Sequence, residues 1–387
     1  MTVADPEARG SIAYAIQDFD RTGAMRAPYQ VLRGFTSAGW EARIVTVASE
    51  ANAAIDEVWG NVPVERVGRL GGRRSRVFRL FLRMLIRSRS ELVISWVWYW
   101  HALGLALARI ALGRPYIICL DSYCYQAAWD MEGWHSRIHA RLRYGTVLKA
   151  ADLVIAETPT AAWHARQIVR EDRVQMIPVC LWRRALEEVE ARWARSEASL
   201  AREPVVLYAG RVARRKNLHD LIRAFGGLSE RFPDWRLEII GPVAEQDYYR
   251  ELRALVNALG LAHSIRFGAP SYGEALYRRL RTSAVFALPS SGEGMPSAVL
   301  EAMYFGGAIV AGRSGSVGYQ LNDGECGLLF EPGDLASLTE HLDRLMSSPV
   351  LRDDLMRRAR TRMCRHFDWD LYFPALNARV LALQVGS

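Results

Sequence analysis

Glu293 and Glu301 stand eight positions apart in "SSGEGMPSAVLEAMYFGG" (290–307), and Glu301 falls in a helical-looking run where Ala298, Val299, Leu300, Ala302 and Met303 are apolar. A carboxylate in such a run is costly unless donors reach it. Carboxylates accept well from vicinal hydroxyls, so the pair suits sugars, one a ribose and the other a hexose; an internal pair with an arginine would also satisfy Glu301. Upstream, the loop "RVARRKN" follows the apolar run "PVVLYAG". Gly210 permits a tight turn there, and Asn217 is a good N-cap for the helix "LHDLIRAF". Arg211 and Lys216 then lie beside a helix N-terminus, whose dipole and free N–H groups suit a phosphate. A solvated basic loop is the plain alternative. Lysine usage favours the phosphate, because the basic residues are almost all arginine and Lys216 is one of two lysines, the other being Lys149.

These side chains need a frame. Strand-like runs alternate with helical runs: "SIAYAI", "ARIVTVA", "LVISWV", "YIICL" and "DLVIAE" in the first half, "PVVLYAG", "RLEIIG", "SIRFG", "VFALPS" and "AIVAG" in the second. Near-continuous apolar strands separated by helices indicate parallel sheets covered on both faces. Two such sets predict an α/β chain of two Rossmann-like domains, with ligands at the carboxyl ends of the strands. Glu293 then sits in the loop after "VFALPS", Pro296 in the first turn of the next helix, and Gly306 and Gly307 close it. The boundary falls in "VQMIPVCLWRRALEEVEARWARSEASLAREP", where strand character lapses into charge.

The totals bound the partners. The chain has 387 residues, half of them hydrophobic, and a formal charge of +8, which favours anionic partners such as phosphates or an acidic membrane surface. Five scattered cysteines without a C-x-x-C pair argue against a disulfide framework or zinc site and fit a reducing cytoplasm. The start, "MTVADPEARGS", does not read as a signal peptide. "LVISWVWYWHALGLALA" (92–108) imitates a membrane span but divides into a buried strand and the start of a helix.

"VLYAGRVARRKNLHDLIRAF", "IRFGAPS", "VFALPSSGEGMPSAVLEAMYFGGAIVAG", "GLLFEPGDLASLTEHLDRLM" and "FDW", in this order and spacing, resemble family-4-type retaining glycosyltransferases of the GT-B fold. The resemblance is strong over 204–370 and more diffuse over 11–180. It implies two Rossmann-like domains with parallel sheets facing a central cleft: an acceptor-binding domain (1–180), a nucleotide-sugar-binding domain (181–366) and a C-terminal helix (367–387) crossing back to the first. It implies a hexosyltransferase that moves a sugar from a nucleotide-diphosphate donor to a glycan, lipid-linked or small-molecule hydroxyl, with retention. Arg211 and Lys216 would neutralise the departing diphosphate. Glu301 would bind ribose, and Glu293 the transferred hexose beside Gly294, Met295 and Pro296. Gly210 would shape the diphosphate loop, and Gly268 to Ser271 would line the base. Gly23 matches one glycine of the family's Gly-Gly loop, with Ala24 in place of the second. The pattern needs no metal and no cofactor.

Two further departures stand out. Where many relatives carry a histidine, this chain has Leu120 and Asp121; Asp121 either takes a polar role toward the sugars or caps the next helix. "GRSGSVGYQLNDG" lacks the acid of the relatives' Gly-Gly-x-x-Glu. The missing histidine motivates an alternative, a non-catalytic GT-B subunit that binds a nucleotide-sugar and supports a partner glycosyltransferase. "DFD" (18–20) mimics a metal-binding Asp-x-Asp but follows the first strand. A pyridoxal-dependent reading would need a Schiff-base lysine, and Lys216 is already assigned to phosphate.

On the acceptor side, Arg76, Arg79, Arg83 and Arg87 fall within about 80° on a helix at about 100° per residue. They form either a solvated face or a docking surface for an anionic membrane, each contributing on the order of 1 kcal/mol. Trp96, Trp98 and Trp100 read as core at a strand end, whereas Trp129 and Trp134 suit stacking on an acceptor sugar or an interface. Nucleic-acid binding is disfavoured, because the positive charge is dispersed beyond residues 72–89. The expected location is cytoplasmic, with peripheral contact to the inner membrane face.

Overall fold

The computed structural model describes residues 10–16, 26–48, 63–69, 91–96, 106, 113, 115–120, 142, 144–195 and 201–385. The chain divides into two compact units, Met1–Val179 with Trp369–Ser387, and Cys180–Asp368.

The first unit is built on strands β1 (Ser11–Ile16), β2 (Glu41–Ala48), β3 (Val64–Arg69), β4 (Leu92–Trp96), β5 (Tyr116–Leu120), β6 (Leu153–Ala156) and β7 (Val174–Met176). They form a parallel sheet in the order β3-β2-β1-β4-β5-β6-β7. Strands that are apolar on both faces must be covered on both, and Ile12, Ala13, Ala15, Ile94, Ile117, Ile118 and Val154 are fully buried. The closing helix, Phe373–Val385, is docked on this unit. Phe373 packs edge-on against Phe35 at 5.2 Å, and the Trp40 indole N–H donates to Asn377 at 2.9 Å.

The second unit carries β8 (Glu203–Ala209), β9 (Arg236–Ile240), β10 (Ile265–Gly268), β11 (Ser283–Leu288), β12 (Ala308–Gly312) and β13 (Leu328–Phe330). Its parallel order is β10-β9-β8-β11-β12-β13. Every residue of β11 and β12 is buried, and each large apolar side chain so placed contributes about 1.5–3 kcal/mol. The order reverses between β8 and β11. In open α/β sheets that reversal leaves a crevice at the carboxyl ends, and loops following the two flanking strands line it.

The strands foreseen in each half are present. Three were not foreseen: β3, β7 and β13. All three lie at sheet edges, where one side of the ladder is open. "VERVGR" carries charges, and β7 and β13 have three residues each, so none produces a continuous apolar run. The charged stretch after Cys180 forms a helix, Arg183–Arg195, which buries Leu186, Val189 and Trp193. Among the described residues, no helix is long and apolar enough to cross a membrane.

Candidate functional site

Both loops at the β8/β11 switch point are described, and they meet. After β8 the chain passes through Gly210 and Arg211 into a 3-10 turn, Arg214–Lys216, and then the helix Leu218–Gly226. After β11 it runs through Ser290–Pro296 into the helix Ser297–Phe305. The Lys216 ammonium pairs with the Glu293 carboxylate, and both side chains are buried, Lys216 to 8% exposure and Glu293 to 7%. Arg215 approaches the other carboxylate oxygen at 3.8 Å and donates to the Gly292 carbonyl. In return the Arg215 carbonyl accepts from the Ser291 N–H (3.0 Å) and the hydroxyls of Ser290 (3.2 Å) and Ser291 (3.1 Å). Arg215 is thus the seam between the loops. Arg214 turns away, to a bidentate pair with Glu251 at 2.7 and 2.9 Å.

The local backbone departs from expectation in three places. Asn217 does occupy the N-cap position, but in a left-handed conformation (φ 48°) and without a side-chain capping bond. Asn is one of the few non-glycine residues that tolerates this region, which is the reason its type fits. Pro296 is the N-cap residue, one step before the first turn. Gly210 is required by proximity, not by a special turn: a Cβ there would lie 2.8 Å from the Tyr208 hydroxyl, which donates to the Arg211 carbonyl at 2.8 Å. Left-handed backbone instead occurs at Gly241 (φ +145°), where a Cβ would sit 1.9 Å from the Gly210 carbonyl oxygen.

Burial is the main force on the charges. It lowers the Lys216 pKa from the usual lysine value; Glu293 opposes this, while Arg215 and Arg211 reinforce it. Tyr208 is pushed well above the usual tyrosine range by burial and then by the charge of Glu293. Arg211 is half-buried and makes no ion pair with a described carboxylate, so its charge is available to an anion.

The helix Ser297–Phe305 buries Ser297 and Val299 through Phe305, with Glu301 only 2% exposed. Met295 is buried, and Gly294 and Pro296 are half-buried. The Pro296 carbonyl accepts from the side chain of Gln320, one of the residues in the segment lacking the family acid. In that segment Gly315 (φ +55°) packs so closely that a Cβ would meet the Glu293 carbonyl oxygen at 1.7 Å, and the Ser316 N–H donates to Gly294 at 2.8 Å. The segment therefore buttresses the Glu293 loop. Gly268 ends β10, and Gly268 and Ser271 are half-buried.

The structure therefore brings Gly210, Arg211, Lys216, Glu293, Gly294, Met295, Pro296 and Glu301 onto two loops and one helix at the switch point, and places Gly268 and Ser271 after the strand β10 of the same sheet. Gly23, Ala24, Asp121, Trp129, Trp134, the "DFD" of 18–20 and Arg76, Arg79, Arg83 and Arg87 lie outside the described residues. Arg215, Tyr208 and Gly315 were not singled out from the sequence. For Arg215 the available signal was its place in the run "RRK". Among the described residues, no group of three or more His, Cys, Asp or Glu side chains is placed to hold a metal ion.

Two family models match the chain: a glycosyl transferase 4-like domain at residues 22–180 and glycosyl transferases group 1 at residues 190–362. A D-inositol 3-phosphate glycosyltransferase of Acidothermus cellulolyticus is 31% identical over 236 residues, which are 58% of this chain and 52% of that protein. An uncharacterized glycosyltransferase of Haemophilus influenzae is 31% identical over 147 residues, 38% of this chain and 40% of its own. The chain thus spans about half the length, or less, of these curated relatives. Among solved structures, sucrose-phosphate synthase of Thermosynechococcus elongatus superposes with a TM-score of 0.79 at 20% identity, over 98% of this chain and 100% of that one. Anabaena Alr3699/HepE in complex with UDP and glucose gives 0.76 at 18% identity, over 96% and 99%. These likenesses establish the shared fold.

Proposed function

The chain belongs to the glycosyltransferases of the GT-B fold, and from that premise we propose that it transfers a hexose from a nucleotide-diphosphate sugar, with retention, to a hydroxyl of a glycan, lipid-linked or small-molecule acceptor. The observation that carries the reading is the buried pair of Lys216 and Glu293, with half-buried Arg215 beside it, joining the two switch-point loops. Buried ion pairs are weak sources of stability, whereas a buried lysine with a lowered pKa in such a crevice is typical of functional sites.

In this reading the diphosphate takes over Lys216 and binds Arg211 beside it. Arg215, still laced to the Glu293 loop, holds that carboxylate in place for hydroxyls of the hexose. Glu301 receives the ribose hydroxyls, and Gly268 to Ser271 flank the base. Departure of the sugar leaves negative charge on the diphosphate, and preorganised cations there lower the barrier. A leaving-group phosphate oxygen accepts the acceptor's proton, so no side-chain base is required, and neither is a metal. Residues 1–180 supply the acceptor contacts, with Asp121, Trp129 and Trp134 as candidates, and Gly23 approaches the donor. The arginines at 76, 79, 83 and 87 place the enzyme on an anionic cytoplasmic membrane face.

The test is a thermal-shift screen against UDP, GDP, ADP and TDP and their common sugars, with Lys216→Ala and Glu301→Ala alongside. UDP comes first, because Alr3699/HepE is described with it. A nucleotide that raises the Tm of wild type and of neither variant supports the donor site. Variants that respond like wild type sink it. Hydrolysis or transfer of the stabilising donor then separates an enzyme from a donor-binding subunit.

A further inference from the structure

The second unit has a polar cavity that the donor chemistry does not use. It lies between the second half of the helix Gln246–Ala258 and the edge strand β10, has a volume of about 270 Å³, and is lined by Arg236, Glu238, Arg253, Asn257, His263 and Arg266 among others. Arg236 is the first residue of β9, and His263 comes just before β10. The lining is therefore weighted toward the amino ends of these strands, while the Lys216 and Glu293 loops follow the carboxyl ends of β8 and β11.

Its charge is unbalanced. Glu238 is the one acid of the lining, and Arg279, from outside it, donates to that carboxylate at 2.6 Å. Arg236, Arg253 and Arg266 make no ion pair with any described carboxylate, although neighbouring arginines do: Arg214 with Glu251 at 2.7 Å and Arg250 with Asp247 at 2.8 Å. Arg253 is held over the Phe267 ring at 5.8 Å, on the opposite face of β10 from Arg266, and Phe267 is wedged edge-on against Tyr249 at 5.3 Å. Like charges gathered around one cavity repel, and an anion converts that repulsion into attraction. Guanidinium forks match phosphate oxygens in bidentate geometry. The volume lies just below the roughly 300–1,000 Å³ of drug-sized pockets, which favours a compact group.

We propose that this cavity is a second anion site, taking a phosphate group between Arg236 and Arg266, which share one face of the strand pair β9/β10. The phosphate belongs either to a small soluble phosphate ester or to an anionic lipid headgroup, since both present the same oxygens. The site is independent of the donor reading.

Inorganic pyrophosphate, which the donor loops would also bind, is titrated at constant ionic strength into wild type, Arg211→Ser and Arg211→Ser carrying Arg236→Ser/Arg266→Ser, following Tm and binding heat. All three substituted arginines reach solvent, and Tm without anion checks that the variants fold. The expected result is a saturable response in wild type and Arg211→Ser, with affinity at least about tenfold weaker once Arg236→Ser/Arg266→Ser is added to Arg211→Ser. Sedimentation with vesicles of phosphatidylcholine, with and without phosphatidylglycerol, assigns the source. Capture by phosphatidylglycerol that is lost on adding Arg236→Ser/Arg266→Ser supports the lipid headgroup, and a pyrophosphate response without capture supports the soluble ester. The proposal is overturned if Arg211→Ser alone abolishes the response, or if adding Arg236→Ser/Arg266→Ser to it changes the response to neither probe.

Discussion

At the carboxyl end of the second unit's sheet, the buried groups are charged: Lys216 and Glu293 paired, with Arg215 at 3.8 Å. Toward the same end of the first unit's sheet, the described buried polar groups are Tyr14, Ser95, Cys119 and Thr158, with one carboxylate, Glu157, directly after β6. Burial, then the charge of Glu157, raises the Cys119 thiol far above the usual cysteine range, against a hydrogen bond with Tyr14. The two sheets share one construction, yet among the described residues only the second buries a cation at that end. A hydrogen-bonded cluster without a buried cation calls for no anion. A buried ion cluster pays a desolvation penalty that well-packed apolar residues would avoid, so its retention points to an incoming anion.

The largest test of that contrast is Lys216→Ala, expected to lower kcat/KM for the nucleotide-sugar by about 10²–10³-fold. Lys216 also gives the contrast a pH signature. Its folded pKa is lowered from 10.5, chiefly by burial. Donor affinity should therefore fall as pH rises through that lowered value, before an ordinary lysine would titrate. For stability the sign is opposite: below that value the buried ammonium costs stability, and the cost fades as pH climbs toward 10.5. Lys216→Arg, which keeps its charge, should move the alkaline limb of donor binding upward; an unmoved limb would assign it to another group.

Next in size is Glu301→Gln, which should raise the donor KM about 10–100-fold, the worth of one or two hydrogen bonds to a charged group. Arg215→Gln sharpens the comparison further. With its carbonyl bonds retained and its cation gone, kcat should fall about tenfold with little change in KM. The losses from Arg215→Gln and Glu293→Gln should not add, because they share one contact; additive losses would break the seam argument. The smallest effect belongs to the first unit's sheet. Tyr14→Phe should cost about 0.5–1.5 kcal/mol of stability in denaturant titration and leave nucleotide affinity unchanged. A change in affinity there would erase the distinction between the two ends.

Both parallel sheets were legible because central strands buried on two faces must be apolar throughout, as "SAVFAL" and "AIVAG" are. The edge strands β3, β7 and β13 were not, since open edges relax that demand. At the site, Arg211, Lys216, Glu293 and Glu301 stood out by type and spacing. Arg215 did not, because three successive basic residues look alike until the 3-10 turn sends Arg214 to Glu251 and the next two to Glu293.

Residue type and order alone therefore determined which side chains can hold charge and sugar hydroxyls, and that they follow strands of one sheet. The tertiary fold decided which of them touch. Lys216 and Glu293 are far apart along the chain, and their pairing follows from β8 and β11 lying side by side. Gly241 and Gly315 matter for the same reason: each makes room for a carbonyl from a distant loop. Strand adjacency is a property of packing a whole sheet, and no local window of sequence contains it.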